Sequence, residues 1–300
     1  MVAHSTKPRF GTLLTAMVTP FTDEGAVDLD AAQKLAAHLV DGGNDGLVVT
    51  GTTGETPTLT DDENVAMFKA VMEAVGDRAA VIAGTGTNDT AHSINLSRRA
   101  QEVGVDGILL VTPYYNKPSQ AGVRAHIEAI ADATDVPVML YDIPGRTGIP
   151  METDTIVALS QHERIIALKD AKGNLLETTK VIARTDLDVY SGDDGMTLPL
   201  MAIGGKGVVS VTAHVAAPQY RALVDAALAG DFETARRLHF ELDPVQRALM
   251  THIQGAIAAK QVLHWQSVLP NSVVRLPLVQ PTAEELNPVK ADLVEAGWEI

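Results

Sequence analysis

A lysine at the end of a short apolar run is the residue best placed to act as a nucleophile. Lys169 closes this run, and period-two alternation puts Ile165, Ala167 and Lys169 on one face of a strand. Over an apolar floor, desolvation disfavours the ammonium form, so the pKa of the amine falls and a nucleophile for a carbonyl carbon is freed. A lysine at a strand end also commonly extends to water along its aliphatic stem. The residue alone leaves imine chemistry and a solvated side chain both open.

Hydroxyl groups after two other apolar runs could move protons for such a lysine. Tyr141 ends one of these runs, and a phenol can relay protons as a carbinolamine becomes an imine. Thr52 and Thr53 stand between two glycines, and glycine lets a ligand approach the backbone closely. The structural alternatives are an ordinary tyrosine at a barrel mouth and a turn whose threonines cap a helix.

A cation just beyond Tyr141 could hold an anionic substrate. Arg146 lies in the segment Ile143 to Gly148, where proline and glycine shape the loop. A planar guanidinium binds a carboxylate through two parallel hydrogen bonds, so Arg146 is a candidate for carboxylate binding. A surface salt bridge is the alternative for this arginine.

Three carboxylates suggest a different class of enzyme. Asp142, Asp170 and Asp193 each follow a successive apolar run. Some barrels hold Mg²⁺ on carboxylates at such positions and use it to stabilise an enolate. Aspartates at these junctions also cap helices, because a helix N-terminus favours negative charge. Metal-dependent enolate chemistry therefore remains the alternative to imine chemistry.

The elements that would position these side chains alternate regularly along the chain. Eight short runs rich in Val, Ile and Leu predict strands. They are Gly11 to Thr19, Gly46 to Gly51, Ala79 to Gly84, Gly107 to Thr112, Val136 to Ile143, Ile165 to Lys169, Leu187 to Gly192 and Gly207 to Thr212. Amphipathic spacing predicts helices at Asp61 to Val75, Thr90 to Val103, Ser119 to Ala133, Glu152 to Ser160 and Asn174 to Ala183.

This alternation favours one closed barrel over an open sheet. Helical crossovers make successive strands parallel. The runs number eight, and no phosphate-binding fingerprint follows the first of them. We therefore predict an α/β fold, a (β/α)8 TIM barrel over residues 1–230. The remaining residues, 231–300, predict a C-terminal helical extension with helices from Phe232 to Trp265 and from Ala283 to Ala296.

The amino-acid composition limits which binding partners and which cellular compartment we expect. The chain holds 23 Lys and Arg against 38 Asp and Glu, so its formal net charge is −15. Nucleic acids and anionic membranes attract basic proteins, so we expect neither as a partner. Cysteine is absent, which excludes disulfides and thiolate sites and suits a reducing cytoplasm. Residues 1–10 contain no apolar run, so we expect no secretory signal and a cytoplasmic location.

Taken together, these residues resemble the dihydrodipicolinate synthase family of pyruvate-dependent class I aldolases. The likeness extends from about Gly11 to Leu278 and depends on motifs in a fixed order. They are Gly51-Thr52-Thr53-Gly54-Glu55, Pro113-Tyr114-Tyr115-Asn116-Lys117-Pro118, the run from Tyr141 to Gly148, Lys169-Asp170, Ser191-Gly192-Asp193-Asp194 and the run from Gly207 to Val211. N-acetylneuraminate lyases share the barrel, but they typically have Ser where this chain has Thr52, and they lack an equivalent of Arg146.

The resemblance implies a reaction and a role for each candidate residue. Lys169 would form a Schiff base with pyruvate, with no metal and no other cofactor. The resulting enamine would attack L-aspartate 4-semialdehyde to give 4-hydroxy-tetrahydrodipicolinate for diaminopimelate and lysine synthesis. Tyr141 would relay protons, with Thr53 joining it to Tyr115. The last tyrosine would reach into a neighbouring subunit of a homotetramer built from tight dimers.

The resemblance also implies which groups bind the substrates. Thr52 and Thr53 would hold the carboxylate of pyruvate, and Arg146 would hold that of the semialdehyde. Gly192 and Val209 would line the site. The alternatives that remain are another pyruvate-dependent aldolase or dehydratase of the same superfamily, the metal-dependent enolate enzyme, and a barrel that binds a partner without catalysis.

One departure from the family pattern concerns regulation by lysine. Lysine-inhibited members hold the free amino acid at the tight interface with a glutamate and histidines. In this chain His92 stands for the glutamate, and Asp61 and Asn64 stand for the histidines, whereas Asn88 and Tyr114 are kept. Without the carboxylate that pairs the ligand's ammonium, the buried charge would be uncompensated.

We therefore predict that lysine inhibits this protein weakly or not at all. The measurement is the initial rate of the condensation as free lysine is added. Half-inhibition below about 1 mM would contradict the prediction, because that affinity requires well-paired ligand charges.

Overall fold

Eight parallel strands close into a barrel in the computed structural model, which describes residues 8–299. Each strand pairs with the next in chain order, and the eighth returns to pair with the first. The strands are β1 (Leu13–Ala16), β2 (Gly46–Val49), β3 (Ala80–Gly84), β4 (Gly107–Val111), β5 (Val138–Asp142), β6 (Ile165–Asp170), β7 (Asp188–Ser191) and β8 (Gly207–Ser210). The predicted (β/α)8 barrel is confirmed.

Helices surround the barrel and carry the chain from strand to strand. Those of the barrel are α1 (Leu29–Asp41), α2 (Asp61–Val75), α3 (Thr90–Val103), α4 (Gln120–Asp132), α5 (Pro144–Thr147), α6 (Thr153–Leu159), α7 (Leu175–Arg184), α8 (Thr197–Ala202) and α9 (Ala213–Leu228), with short 3₁₀ helices at Thr56–Thr58 and Asp194–Met196. The predicted bounds of α2 and α3 match, because local caps set both starts: Thr60 forms a capping box with Glu63, and Asp89 caps α3.

Three further helices follow the barrel: α10 (Phe232–Met250), α11 (Gly255–Trp265) and α12 (Ala283–Glu295). The helix predicted from Phe232 to Trp265 is interrupted, because Gln254 turns its side chain back to accept hydrogen bonds from the first amides of α11. Helix α10 packs against α9 and α12. The division into a barrel of residues 1–230 and an extension of residues 231–300 stays a prediction.

Alternate residues of each strand face opposite sides of the barrel wall. The inward set includes Leu14, Val48, Ile82, Leu109, Met139, Tyr141, Ala167, Tyr190 and Val209. The outward set packs under the helices and includes Leu13, Leu47, Leu110, Leu140 and Leu168. Ala167 and Lys169 therefore share the inner face as predicted, but Ile165 lies in the outer set. The β5–β6 register shifts after Val138, so that Ile165 and Ala167 pair with consecutive residues and the alternation is broken.

Two sequence predictions concern membranes and export. None of the helices within residues 8–299 combines the length and hydropathy needed to cross a bilayer. The prediction that no secretory signal is present depends on residues 1–10, of which 1–7 lie outside the described part of the chain. It stays a prediction.

A buried histidine joins the segments that follow the first and last strands, at the C-terminal ends of the strands. His214 is 1% exposed, and its Nε2 accepts a hydrogen bond of 3.0 Å from the Val18 amide. Its Nδ1 must then carry the proton, which it donates to the Val211 carbonyl oxygen over 2.7 Å. Burial lowers the pKa of His214 to about 4, although the Val211 hydrogen bond opposes this and the His38 charge adds to it. The fold therefore requires a neutral imidazole.

We predict that His214 makes the protein less stable in mild acid. In the unfolded chain the imidazole binds a proton below about pH 6.5, whereas in the folded chain it stays neutral down to about pH 4. The free energy of unfolding therefore decreases as the pH falls from about 6.5 to about 4. Between pH 7.5 and pH 5 the loss is about 2 kcal/mol. Urea unfolding at both pH values measures it in the wild type and in His214→Gln. An equal pH dependence in the two proteins would contradict the assignment.

Candidate active site

The strand pairing brings the predicted nucleophile and proton relay side by side. Tyr141 on β5 is in register with Lys169 on β6. The Lys169 Nζ lies 4.3 Å from the centroid of the Tyr141 ring. Lys169 is 5% exposed and Tyr141 is 4% exposed, so the amine and the ring meet almost without water. A strand end at the C-terminal face of a barrel is where such enzymes carry their chemistry.

Burial makes the Lys169 amine a nucleophile near neutral pH. Desolvation lowers the pKa of Lys169 to about 8, the Asp194 charge raises it, and the Arg146 charge lowers it. Compared with a free lysine, the neutral amine is then roughly 300-fold more abundant at pH 7. Gly192 leaves room for this side chain, because a Cβ at position 192 would lie 2.9 Å from the Lys169 Cγ.

The phenol beside the lysine keeps its proton throughout the physiological range. Burial raises the pKa of Tyr141 to about 12, while the Arg146 charge and a hydrogen bond with Thr52 oppose the rise. Thr52 is half-buried in the cavity wall, whereas Thr53 is 8% exposed and lies behind it. The structure therefore brings Thr52, the neighbour of the residue predicted for the relay, to the phenol.

A cavity of about 650 Å³ opens above Tyr141 at the C-terminal ends of the strands. Its lining includes Thr52, Tyr114, Tyr115, Lys117, Tyr141, Arg146 and Gly148. Lys169 and Gly192 lie below this lining, and Val209 belongs to the inner packing of the barrel, 1% exposed. The floor is therefore apolar, and the cations and hydroxyls are gathered at the walls.

Tyr115 stands apart from the other site residues. It is 88% exposed and has a φ of 73°, a left-handed conformation that is uncommon for a bulky residue. It lines the same cavity as Tyr141. Backbone strain of this kind persists where the surroundings hold it.

Arg146 supplies positive charge at the cavity mouth. It lies within the short helix α5, is exposed, and forms no ion pair with any carboxylate in residues 8–299. Its charge lowers the pKa values of both Lys169 and Tyr141. A guanidinium free of protein carboxylates can bind the carboxylate of a ligand.

The strand-end aspartates serve three separate structural purposes. Asp142 is fully buried and pairs with Lys172 at 3.0 Å. Asp170 accepts a hydrogen bond of 2.6 Å from the Thr178 hydroxyl, and Asp193 caps the following 3₁₀ turn. Across residues 8–299, no three His, Asp or Glu side chains gather as ligands for a metal ion. The arrangement therefore offers no support to the metal-dependent alternative.

Asp194 is a buried carboxylate to which the sequence assigned no role. It is 3% exposed and accepts hydrogen bonds from the Ser210 hydroxyl and from the Val211 and Thr212 amides, the amides at 3.0 and 3.3 Å. Burial raises the pKa of Asp194, and these hydrogen bonds oppose the rise. Its charge favours the cationic form of Lys169. The second aspartate of Ser191-Gly192-Asp193-Asp194 was the available signal.

The positions matched to a lysine site are occupied by contacts within the chain. The His92 Nε2 lies 2.7 Å from an Asp61 carboxylate oxygen. The Asn64 amide donates to the Thr60 carbonyl oxygen at 3.1 Å, and its oxygen accepts from the Thr56 hydroxyl at 3.2 Å. No carboxylate of this set is left without a partner to bind an ammonium group.

Comparison with known proteins agrees with this geometry. The model of the "Dihydrodipicolinate synthetase family" matches residues 9–296. The 4-hydroxy-tetrahydrodipicolinate synthase of Kineococcus radiotolerans is 55% identical over 288 residues, which cover 96% of this chain and 94% of that protein.

Solved structures agree as well. The dihydrodipicolinate synthase of Bacillus anthracis superposes with a TM-score of 0.92 at 46% identity, covering 95% of this chain and 98% of the other. The synthase of Cyanidioschyzon merolae, solved with lysine bound, gives a TM-score of 0.94 at 41% identity, with coverages of 97% and 99%. The resemblance inferred from the motifs is confirmed, and the chain belongs to the dihydrodipicolinate synthetase family.

Proposed function

We propose that this protein condenses pyruvate with L-aspartate 4-semialdehyde through an imine on Lys169, giving 4-hydroxy-tetrahydrodipicolinate and water. The observation that carries the proposal is the buried Lys169 amine, 4.3 Å from the Tyr141 ring, below a cavity. The activity is the one that the names of the 55% identical relatives state. We assign it to diaminopimelate and lysine synthesis in the cytoplasm, which the absence of cysteine suits.

The chemistry proceeds by making pyruvate an electron-rich carbon nucleophile. The neutral Lys169 Nζ attacks the ketone carbon of pyruvate, and the carbinolamine loses water to form the imine. Loss of a methyl proton gives the enamine, whose carbon attacks the aldehyde of the semialdehyde. The amino group of the second substrate then attacks the imine carbon, which closes the ring and releases Lys169. Every proton transfer is internal to these steps, so no cofactor other than the imine is needed.

Tyr141 is the proton carrier in this scheme. With a pKa near 12 the phenol is protonated at neutral pH, so it can donate to the departing hydroxyl of the carbinolamine and recover a proton afterwards. We assign the partner hydroxyl to Thr52, because Thr52 bonds Tyr141 and lines the cavity. Thr53, the relay residue predicted from the motif, is then left to shape the pyruvate end of the site together with Gly192 and Val209.

Local groups bind the carboxylates of the two substrates. Arg146, unpaired within residues 8–299, is assigned to the carboxylate of the semialdehyde. The carboxylate of pyruvate is assigned to Thr52 and Thr53, whose segment can offer backbone amides and hydroxyls. The net charge of −15 repels pyruvate at long range and does not attract the zwitterionic semialdehyde, so binding depends on these short-range groups.

We infer that the working unit is a homotetramer built from tight dimers. Tyr115 is 88% exposed in a strained conformation at the cavity wall, and within residues 8–299 its hydroxyl forms no side-chain hydrogen bond. A neighbouring subunit would give that side chain a buried position and complete the relay of Tyr141 and Thr52. Lysine feedback is weak in this proposal, since His92 and Asp61 pair with each other.

Covalent capture tests the proposal directly. With pyruvate and borohydride we expect the protein to gain the mass of one reduced pyruvate imine per chain, located at Lys169. The rate of capture should rise with pH through about 8, because the neutral amine is the reactive form. Mass spectrometry of the intact protein and of its peptides measures both.

Two outcomes would contradict the imine. If no adduct forms and a chelator abolishes the activity, the metal-dependent enolate reading is correct. If neither adduct nor activity is found with any keto acid, the barrel is a binding protein. A matched control is Lys172→Arg, which keeps the ion pair with Asp142 and should still be captured at Lys169.

The proton relay has its own test. We expect Tyr141→Phe to lower kcat by about 100-fold, the scale of one general acid, while pyruvate affinity changes little. Thr52→Val should lower kcat at least tenfold, and Thr53→Val should do so less. Steady-state kinetics and pyruvate titrations separate the two effects. Near-wild-type turnover in Tyr141→Phe would remove the relay role, and a larger loss in Thr53→Val would return it to Thr53.

A further inference from the structure

The segment that carries Thr52 is held in a strained backbone conformation. Thr50 and Glu55, at its two ends, have φ values of 50° and 57°, in the left-handed region that residues with a Cβ seldom adopt. Gly54 lies very close to the backbone of Thr50, because a Cβ at position 54 would be 2.8 Å from the Thr50 Cα. Strain of this kind persists only where surrounding contacts impose it.

The contact that imposes it comes from the C-terminal helices. The Lys260 Nζ, on α11, donates to a Glu55 carboxylate oxygen at 2.5 Å and to the Val273 carbonyl oxygen at 2.8 Å. Both charged side chains are 1% exposed, and 205 positions separate the two residues. The other Glu55 oxygen accepts from the Arg275 amide at 3.0 Å. Both oxygens of Glu55 are therefore held by the extension.

Arg275, in the same cluster, also holds the residues that follow Glu55. The Arg275 guanidinium donates to the Thr58 carbonyl oxygen at 2.9 Å and to Glu63 at 2.6 Å. Phe21 lies under both cations, 4.1 Å from the Lys260 Nζ and 4.5 Å from the Arg275 guanidinium carbon. Cations over an aromatic face gain electrostatic attraction when water is excluded. The cluster thus ties Phe21 in the segment after β1, the Thr50 to Glu55 segment and α2 to residues 260–275.

We propose that Lys260 is a positioning residue for the reaction, which holds Glu55 and through it sets the Thr52 hydroxyl against Tyr141. Lys260 touches neither substrate nor the reacting amine; it acts through the backbone of the Thr50 to Glu55 segment. The inference depends on the proposed function, because Thr52 matters to turnover only if Tyr141 relays protons. It also gives the C-terminal helices a part in catalysis.

The physical reason is the cost of a lone buried charge. When the Lys260 ammonium is removed, the buried Glu55 carboxylate loses its ion-pair partner, and the Arg275 guanidinium that remains nearby is already bound to Glu63, so Glu55 must take up a proton or turn outward. Either change removes the contacts that hold the Glu55 backbone in its left-handed conformation. A displacement of about 1 Å at a proton-relay group reduces turnover strongly, since proton transfer requires hydrogen-bonding distance.

The experiment compares four proteins in the intact oligomer. They are the wild type, Lys260→Met, the double variant Glu55→Gln/Lys260→Met, and the control Lys290→Met. Lys290 is also a lysine of the extension over an aromatic ring, 5.0 Å from Trp265, but it is exposed and far from Glu55. For each we measure kcat, KM for pyruvate, the rate of borohydride capture and the urea midpoint.

We expect Lys260→Met to lose at least tenfold in kcat, with a parallel loss in the rate of capture and a smaller rise in KM for pyruvate, because the displaced segment also holds the pyruvate carboxylate. Lys290→Met should match the wild type in all four measurements. The double variant removes both buried charges, so its urea midpoint should return toward that of the wild type. Its kcat should stay low, because an amide at position 55 does not restore the anchored segment.

The outcomes separate the two hypotheses. If the wild type is not captured by pyruvate, the proposed function fails and not this inference alone. If the wild type is captured and folded Lys260→Met keeps wild-type kcat and capture rate, Lys260 does not position the segment. If activity returns with stability in the double variant, the role of Lys260 is only structural and the inference is overturned. Where Lys260→Met does not fold, the double variant alone decides.

Discussion

The pairing of β5 with β6 holds the Lys169 amine against the Tyr141 ring in the interior of the barrel. Burial there moves the two pKa values in useful directions, toward about 8 for the amine and about 12 for the phenol. One environment therefore favours the neutral amine and the protonated phenol, because desolvation opposes charge on both groups. The remaining site residues modulate this pair: Asp194 favours the cation, and Arg146 opposes it.

A buried pair of this kind requires a rigid frame on every side. Gly192 makes room for the Lys169 stem, and Asp194 ties the loop after β7 to the end of β8. His214 does the same between β8 and the segment after β1. The extension adds the cluster around Lys260, so the strained loop of Thr52 is supported from outside the barrel. Such supporting groups fix a reacting group within the small tolerance that proton transfer allows.

The charges of the protein act differently at long range and within the cavity. The chain as a whole carries −15 and would slow the approach of an anion such as pyruvate, an effect that salt screens beyond about 10 Å. Within the cavity the nearest charges are cationic, Arg146 and Lys117 at the walls and Lys169 below. Binding is then a matter of contact distance rather than of steering, and most acidic residues elsewhere pair with cations or cap helices.

The sequence by itself determined the barrel and the ends of α2 and α3, and it predicted that Tyr141 lies within reach of Lys169, because alternation, helix caps and strand-end positions are local properties of the chain. It could not place Ile165, whose face depends on a register shift against β5. Only the tertiary structure decided that Thr52 meets Tyr141 and that Glu55 meets Lys260. These contacts join residues that are distant in sequence. Their geometry is set by the close packing of the barrel strands and the helices around one another.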